Sequence, residues 1–484
     1  MDVAKNKMEA IIRIGGMVLP TLGIAFAAFT VARTEWIIPV AFTAALTVTV
    51  HCNKRFALLA LEKMERHWLL YLGIVCVLGL VLRFLFWITH PDIIALQNYD
   101  SKVFWSEALA MAEGTFPNTK SWGTTVFYSL IIRVFGVRPL VAAGFNVILH
   151  LLLSLAIFVF AKRLFHRPVA GLISVVLFFL SPVFVRYTFY FSSENVGFLL
   201  LTFALSLLLR WHDEHDWGSS MLIPFMTVAN LWTRSEFGLI LFALIPLLYC
   251  VDIAASGNWF KWRTGLFPLL FFAVVIVGGM FVGRFINERF HDTHTFLCSD
   301  DGWWPRLTGC NYATKGLCGT RSEKMNMAAR YKQLTGKTID IQPNTCPSEL
   351  VPLIRDEIDR RWASLTFRQK ILLIAYKQDS VWRTQPYVQW AGFIGLVLGC
   401  LLRSMIAVGA IAAFLSVFAN ARRYIDIPRS LFALAPLIVC LGIACAVAFA
   451  EGRPRYGIVF LCLFPVYGTS MWGIPIVTSK GMKS

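Results

Sequence analysis

A chain of 484 residues with 57% hydrophobic and only 15% charged residues carries more apolar surface than a water-soluble core can hide. Soluble domains carry about 25% charged residues, and single cores stop growing near ~250–300 residues; the mean hydropathy of +0.63 makes lipid the solvent. The net charge of +17 is split among short clusters between apolar runs. That excludes the continuous basic face of a nucleic-acid binder and reads as a topology signal.

Met1–Lys7 is polar, and the apolar run after it is long enough to stay as an anchor, so no cleaved signal peptide is expected. Runs of about 20 apolar residues cross a ~30 Å hydrocarbon layer as helices. They lie near 11–31, 36–52, 68–89, 139–161, 168–188, 193–211, 219–234, 236–253, 265–284, 404–420, 431–450 and 456–476, and 387–403 is apolar enough for another. The expected fold class is therefore an all-α polytopic membrane protein with about 12–13 transmembrane helices and an extracytoplasmic loop domain. Four regions follow: an N-terminal hairpin and basic cytoplasmic loop (1–67), a main transmembrane module (68–284), a cysteine-containing outer loop domain (285–386) and closing spans (387–484).

Orientation comes from the basic connectors, since Lys and Arg accumulate in cytoplasmic loops. Lys54, Arg55, Lys63 and Arg66, then Lys162, Arg163 and Arg167, then Lys261 and Arg263 all lie inside when the N-terminus is inside. Segments 90–138 and 285–386 are then outside. In the first, 101–113 is expected to form a helix able to lie flat on the interface, ended by Gly114 and Pro117, before a second apolar helix over 124–135.

The outer loop domain holds Cys298, Cys310, Cys318 and Cys346. Four cysteines on the oxidising side point to two disulfides, with three pairings open. Zinc is the other reading, although no C-x₂-C knuckle is present. Trp303 and Trp304 are suited to stacking on a sugar ring or to burial in the same domain.

Charges are expensive in a bilayer, at least ~2.5–3.5 kcal/mol each at its centre, so those at outer span ends carry information. Asp92, Asp100, Glu107 and Glu113 belong to the first outer segment. Arg186 and Glu194 flank RYTFYFSSEN, Arg234 and Glu236 form the turn TRSE, and Arg453, Arg455 and Tyr456 stand in EGRPRY. All fall on one face. Arginine binds phosphate bidentately without losing its charge, and a neighbouring carboxylate can act as general base. The plainer readings are interfacial anchors for the arginines and a helix N-cap for Asp100. Lys377 and Arg383 are further phosphate candidates, while His90 reads as an interface residue. His212 and His215 in WHDEHD have metal-compatible spacing with Asp213, Glu214 and Asp216, but read better as a solvated acidic connector.

These residues also follow a family pattern. Tyr99-Asp100-Ser101 through Ala108-Leu109-Ala110-Met111-Ala112-Glu113-Gly114 resembles the first outer loop of GT-C superfamily glycosyltransferases, which include the protein O-mannosyltransferases and the bacterial aminoarabinose transferases. Ser181-Pro182 with Ser193-Glu194, then Thr233-Arg234-Ser235-Glu236, then Arg455-Tyr456 followed by Pro465, are similar to their later elements in order and spacing. Ser101 stands where many members have a second acidic residue, and Ser235 replaces a usual proline.

The resemblance implies a GT-C-like bundle that transfers a sugar from a polyprenyl-phosphate donor to an acceptor outside the cytoplasm, with inversion. Asp100 would be the general base, and Arg234, Arg455, Arg186 and Arg453 would hold the donor phosphate. Glu194, Glu236, Tyr456 and Asp92 would contact sugar or acceptor. No cofactor is expected, with a divalent metal left open. Glycolipid, polysaccharide and protein acceptors all stay open, as do a bacterial plasma membrane, which is favoured, and the endoplasmic reticulum. The rival classes are a transporter or flippase and a polymerase or ligase for lipid-linked glycans.

Overall fold

The computed structural model describes residues 54–90, 99–117, 119, 121–256, 266–291, 303–315, 320–341 and 346–382, with short pieces within 434–443 and 463–467. The expected spans at 11–31, 36–52, 387–403 and 404–420 lie outside these residues. Every extended element described is helical. Among the described residues, five helices are long and apolar enough to cross a membrane: Trp68–Thr89, Pro139–Phe165, Ser193–Glu214, Ser235–Ala254 and Leu266–Arg289. The chain is a multi-pass membrane protein.

In chain order, α1 (Lys54–Arg66) leads into α2 (Trp68–Thr89), α3 (Tyr99–Ala112) and α4 (Trp122–Phe135). Helix α2 exposes Leu69, Leu70, Val77, Leu78, Val81, Phe84, Leu85 and Ile88 and buries Arg83. That inverts the pattern of a water-soluble helix and suits a lipid-facing one. Helix α3 differs from expectation. Phe104, Trp105, Ala108 and Met111 are buried, and the helix packs on α4 through Tyr128, Ile131 and Ile132. Its apolar stripe is consumed by protein and is not left for the lipid surface.

Helix α5 (Pro139–Phe165) is followed by α6 (Pro168–Phe179) and the short α7 (Pro182–Tyr187). The single run expected over 168–188 is broken at Leu180–Ser181, because Pro182 has no N–H to continue the ladder and instead starts a new helix. Helices α8 (Ser193–Glu214), α9 (Trp217–Thr233), α10 (Ser235–Ser256) and α11 (Leu266–His291) complete the described bundle. Its core runs through Phe160, Phe165, Phe178, Phe179, Phe184, Trp211 and Tyr249, and the late pieces Val439, Cys440, Leu463 and Tyr467 join it.

One end of the bundle collects basic connectors and their partners. Arg167 meets Glu65 at 2.5 Å, and Arg163 and Arg210 meet Glu214 at 2.7 and 3.2 Å. Asp216 caps α9 through the Ser219 N–H. His212 bonds Asp252 at 2.6 Å. The acidic connector is thus spent on ion pairs and a cap. The opposite end carries Arg186, Glu194 and Arg234.

Beyond the bundle come α12 (Trp303–Gly309), α13 (Thr320–Thr335), α14 (Val351–Ser364) and α15 (Phe367–Trp382). Trp304, Leu307, Met327, Leu350 and Ile354 form a separate small core. Trp304 is fully buried, while Trp303 is flanked by Arg306 and Arg355. Cys310 and Cys346 are both buried, and among the described residues no disulfide forms. Apolar packing and an ion-pair cluster hold these helices together instead; Cys298 and Cys318 lie outside the described residues.

The cluster joins two buried carboxylates. Arg361 meets both Glu323 and Glu357 at 2.7 Å, and Glu357 also takes Arg330 at 2.7 Å and Arg360 at 2.6 Å. Burial alone would raise the Glu357 carboxyl, but hydrogen bonds from Arg360, Arg361 and Arg330 outweigh it and hold the group down to about 2. A depressed folded value stabilises above the ordinary 4.5 and is lost as pH falls toward about 2. Acid titration followed by tryptophan fluorescence should show loosening in that window, and Glu357→Gln should remove that step. An unchanged titration curve in the variant would contradict it.

Candidate active site

The residues singled out in the sequence enter one end of the bundle from separate stretches of chain. Asp100 is the second residue of α3, one position inside the helix, so its backbone is not in the N-cap position. The first helical turn is where the macrodipole favours a carboxylate. Ser101, next to it, is buried, and its Oγ accepts a 3.2 Å hydrogen bond from Phe191 N–H. The Phe191 ring stacks on Trp105 at 5.1 Å and meets Tyr128 edge-on at 5.2 Å. The strap 188–192 between α7 and α8 is therefore fastened to α3 by backbone and by ring.

Two residues later the strap becomes α8, and a second fastening begins. Glu194 Oε1 lies 2.5 Å from Arg234 Nη1, and Ser193 Oγ accepts from the same nitrogen at 3.1 Å. Arg234 caps the end of α9, and its carbonyl accepts from the N–H groups of Phe237 and Gly238. A Cβ on Gly238 would stand 2.5 Å from the Leu231 backbone nitrogen, so glycine is what lets this turn close. Both Glu194 and Arg234 are buried, whereas Glu236 is half exposed, 3.8 Å from Arg234 Nε. Of the roles open to Glu194, orienting an arginine is the one its contacts serve. Arg186 Nε donates to the Tyr190 hydroxyl at 2.8 Å.

Sequence reasoning grouped Glu107 with the charges of the first outer segment and gave it no role; the structure gives it one. It is buried, seven residues after Asp100 and so on the same face of α3. Its carboxylate accepts from the Thr119 hydroxyl and, at 3.4 Å, from Thr125. Ser121, the N-cap of α4, donates to Thr233 O at 2.5 Å, on the turn that carries Arg234. A ring of contacts thus runs from α3 through the strap, α8, the Arg234 turn and α4 back to α3. The seven-residue spacing from Asp100 was the available signal for Glu107.

Other candidates fall elsewhere. His90 stacks on Phe86 and bonds the Thr89 hydroxyl. Lys377 is fully buried in α15, and that burial pulls its ammonium down to about 8. Among the described residues no three His, Cys, Asp or Glu side chains are grouped to hold a metal ion. Asp92, Arg383, Arg453, Arg455, Tyr456 and the side chain of Asp100 lie outside the described residues.

Residues 120–280 match the model of the family described as dolichyl-phosphate-mannose-protein mannosyltransferase. That stretch is similar to the mannosyltransferases the family model describes. The matched stretch takes in Ser121, the strap, Glu194 and the Arg234 turn. Solved structures that resemble it include the archaeal oligosaccharyltransferase AglB from Archaeoglobus fulgidus, in complex with an inhibitory peptide and a dolichol-phosphate. Identity is 14% and the TM-score 0.45, over 84% of this chain, which spans 50% of the length of that protein. ArnT from Cupriavidus metallidurans, bound to undecaprenyl phosphate, is 15% identical with a TM-score of 0.35, over 82% of this chain and 77% of that one. Among curated proteins none matches.

Removing one partner of a buried ion pair costs ~3–5 kcal/mol, because the other charge is left uncompensated. Glu194→Ala should therefore lower the melting temperature of the detergent-purified protein by several degrees. Glu236→Ala, at the exposed end, should stay within ~0.5 kcal/mol of the parent. Equal melting points for the two variants would deny the Glu194–Arg234 pair its structural role.

Proposed function

We propose that this protein transfers a sugar from a polyprenyl-phosphate-linked donor to a hydroxyl acceptor on the extracytoplasmic side of a membrane. The observation that carries the reading is the strap. Residues 191–194, where it runs into α8, touch the start of the helix bearing Asp100, through Phe191 and Ser101, and the buried arginine of a distant turn, through Ser193 and Glu194. A carboxylate-bearing helix start and a guanidinium are thereby tied to one short segment at a membrane face. The family match over 120–280 supports a lipid-phosphate donor.

In this reading Asp100 takes the proton from the acceptor hydroxyl as its oxygen attacks the anomeric carbon. The new C–O bond forms on the face opposite the bond to phosphate, which breaks, and the electron pair leaves with the lipid phosphate. One base and no nucleophile give inversion. The leaving phosphate is already a stabilised anion, so the chemistry needs little acid catalysis and no organic cofactor. What it needs is fixed positive charge where negative charge grows. Arg234 meets this requirement because Glu194 and Ser193 hold it before substrate arrives. Arg186, Arg453 and Arg455 are assigned to the same phosphate, with Glu236, Tyr456 and Asp92 toward the sugar and acceptor. The site faces outward when the basic connectors are inside, and in this reading that side is the periplasm or exterior of a bacterial plasma membrane.

The test is incubation of the purified full chain with undecaprenyl-phosphate-linked sugars and a membrane extract, scoring release of undecaprenyl phosphate and labelled product by mass spectrometry. Transfer is expected, and Asp100→Asn should lower it about 10²–10⁴-fold, the usual contribution of a positioned base, with the fold intact. A folded Asp100→Asn protein with full transfer would remove the base assignment. No sugar release by the parent with any donor would overturn the reading.

A further inference from the structure

A line of polar side chains, buried among apolar helices, ends on the strap. Arg83 of α2 is buried; its Nη1 donates to Gly79 O and Phe179 O at 2.9 Å, and its Nε to Thr188 Oγ1 at 3.0 Å. Thr188 Oγ1 lies 3.0 Å from His150 Nδ1, and His150 Nε2 lies 3.0 Å from Asn195 Oδ1. Asn195 Nδ2 donates to Tyr190 O at 2.7 Å, which leaves its Oδ1 as the acceptor for His150. The imidazole then carries its proton on Nε2, and its Nδ1 shares the Thr188 hydroxyl with Phe184 O, which lies 2.7 Å from that oxygen. From the other side Tyr128 donates to Asn146 Oδ1 at 2.9 Å, and Asn146 Nδ2 donates to the same Tyr190 carbonyl at 3.2 Å.

Two lines of donors, from α5 and α8, therefore converge on one carbonyl. The amide on the far side of that peptide, Phe191 N–H, is the one that holds Ser101. A carbonyl filled by two donors polarises its own peptide and strengthens the opposite N–H as a donor. Thr188, His150, Asn146 and Asn195 are each fully buried, and nothing in the reaction as proposed uses them. Polar groups in such surroundings persist at a cost unless each is paired.

We propose that Ser101, Asn195 and His150 are positioning residues for Asp100. The buried line fixes the Tyr190–Phe191 peptide, and that peptide fixes the first turn of α3, to which Asp100 belongs. Ser101 thereby gains a function of its own, as the acceptor that sets the register of the helix. The proposal rests on the sugar-transfer reading for its kinetic consequence and on geometry alone for its structural one. A misplacement of about 1 Å can cost 10²-fold in rate.

The experiment pairs two measurements on the full chain in detergent. The first is release of undecaprenyl phosphate from undecaprenyl-phosphate-linked sugars, for Ser101→Ala, Asn195→Ala, Asp100→Asn and the combination of Asp100→Asn with Ser101→Ala. The second is amide hydrogen exchange along α3. Ser101→Ala is expected to lower kcat about 10- to 100-fold, with KM for the donor nearly unchanged and exchange faster in the first turn of α3 only. On the Asp100→Asn background Ser101→Ala should add no further loss, since groups that act as one unit are not additive. A full further loss there, or unchanged exchange in the first turn, overturns the proposal. If the parent releases no lipid phosphate while Ser101→Ala still loosens that turn, the sugar-transfer reading falls and the register role stands.

Discussion

A polar group inside a bilayer has only the protein to bond with, and this constraint decides how the bundle is assembled near its functional end. Glu194, Arg234, Glu107, Asn195, His150 and Arg83 are all buried. None of them is satisfied only within its own helix. Glu194 on α8 needs the α9–α10 turn, His150 on α5 needs α8, and Arg83 on α2 needs the end of α6 and the strap. Apolar contacts press the helices together without direction. The polar contacts choose the register.

The strap 188–192 shows what that choice produces. It exists because Pro182 ends one helix and starts a six-residue one, leaving the chain to turn before Ser193 begins α8. The N–H groups of Thr188, Phe189 and Tyr190 still close on α7, but the Tyr190–Phe191 peptide lies beyond that helix and bonds outward to Ser101, Asn146 and Asn195. That peptide is thereby held from both sides. Rigid placement is what electrostatic catalysis requires, because charges already aligned need no reorganisation when the substrate's charge shifts.

Burying Arg234 beside Glu194 carries a desolvation cost that the pair offsets only in part. Such a pair is better explained by orientation than by stability. The guanidinium is held at one nitrogen by Glu194 and Ser193, and the aromatic ring of Phe237 lies 5.4 Å from its centre. The Arg234 turn is itself closed by the N–H groups of Phe237 and Gly238, which donate to the Arg234 carbonyl, and a residue larger than glycine at 238 would collide with Leu231.

Much of this was legible in the chain. Hydropathy located the five long spans, since a run of some 20 apolar residues has few other fates. Charges at span ends picked out Arg186, Glu194, Arg234 and Glu236, because placing ionisable groups there is costly enough to be deliberate. The break at Leu180–Ser181 had its signal in Pro182, but a mean over the run conceals a single residue. What sequence could not supply was partnership. Glu107 stood without a role among the charges of the first outer segment, the helix over 101–113 looked able to lie on the lipid interface, and the four outer cysteines were expected to form two disulfides. Each depends on which segment lies opposite, a matter of long-range packing that local pattern does not encode. By itself, then, the sequence determined solvent, element type and the residues able to do chemistry, because these follow from local periodicity and the cost of charge in lipid. Only the tertiary structure decided that Ser101 meets Phe191 and Glu194 meets Arg234, because a hydrogen bond between residues 90 positions apart exists only once the helices between them have packed.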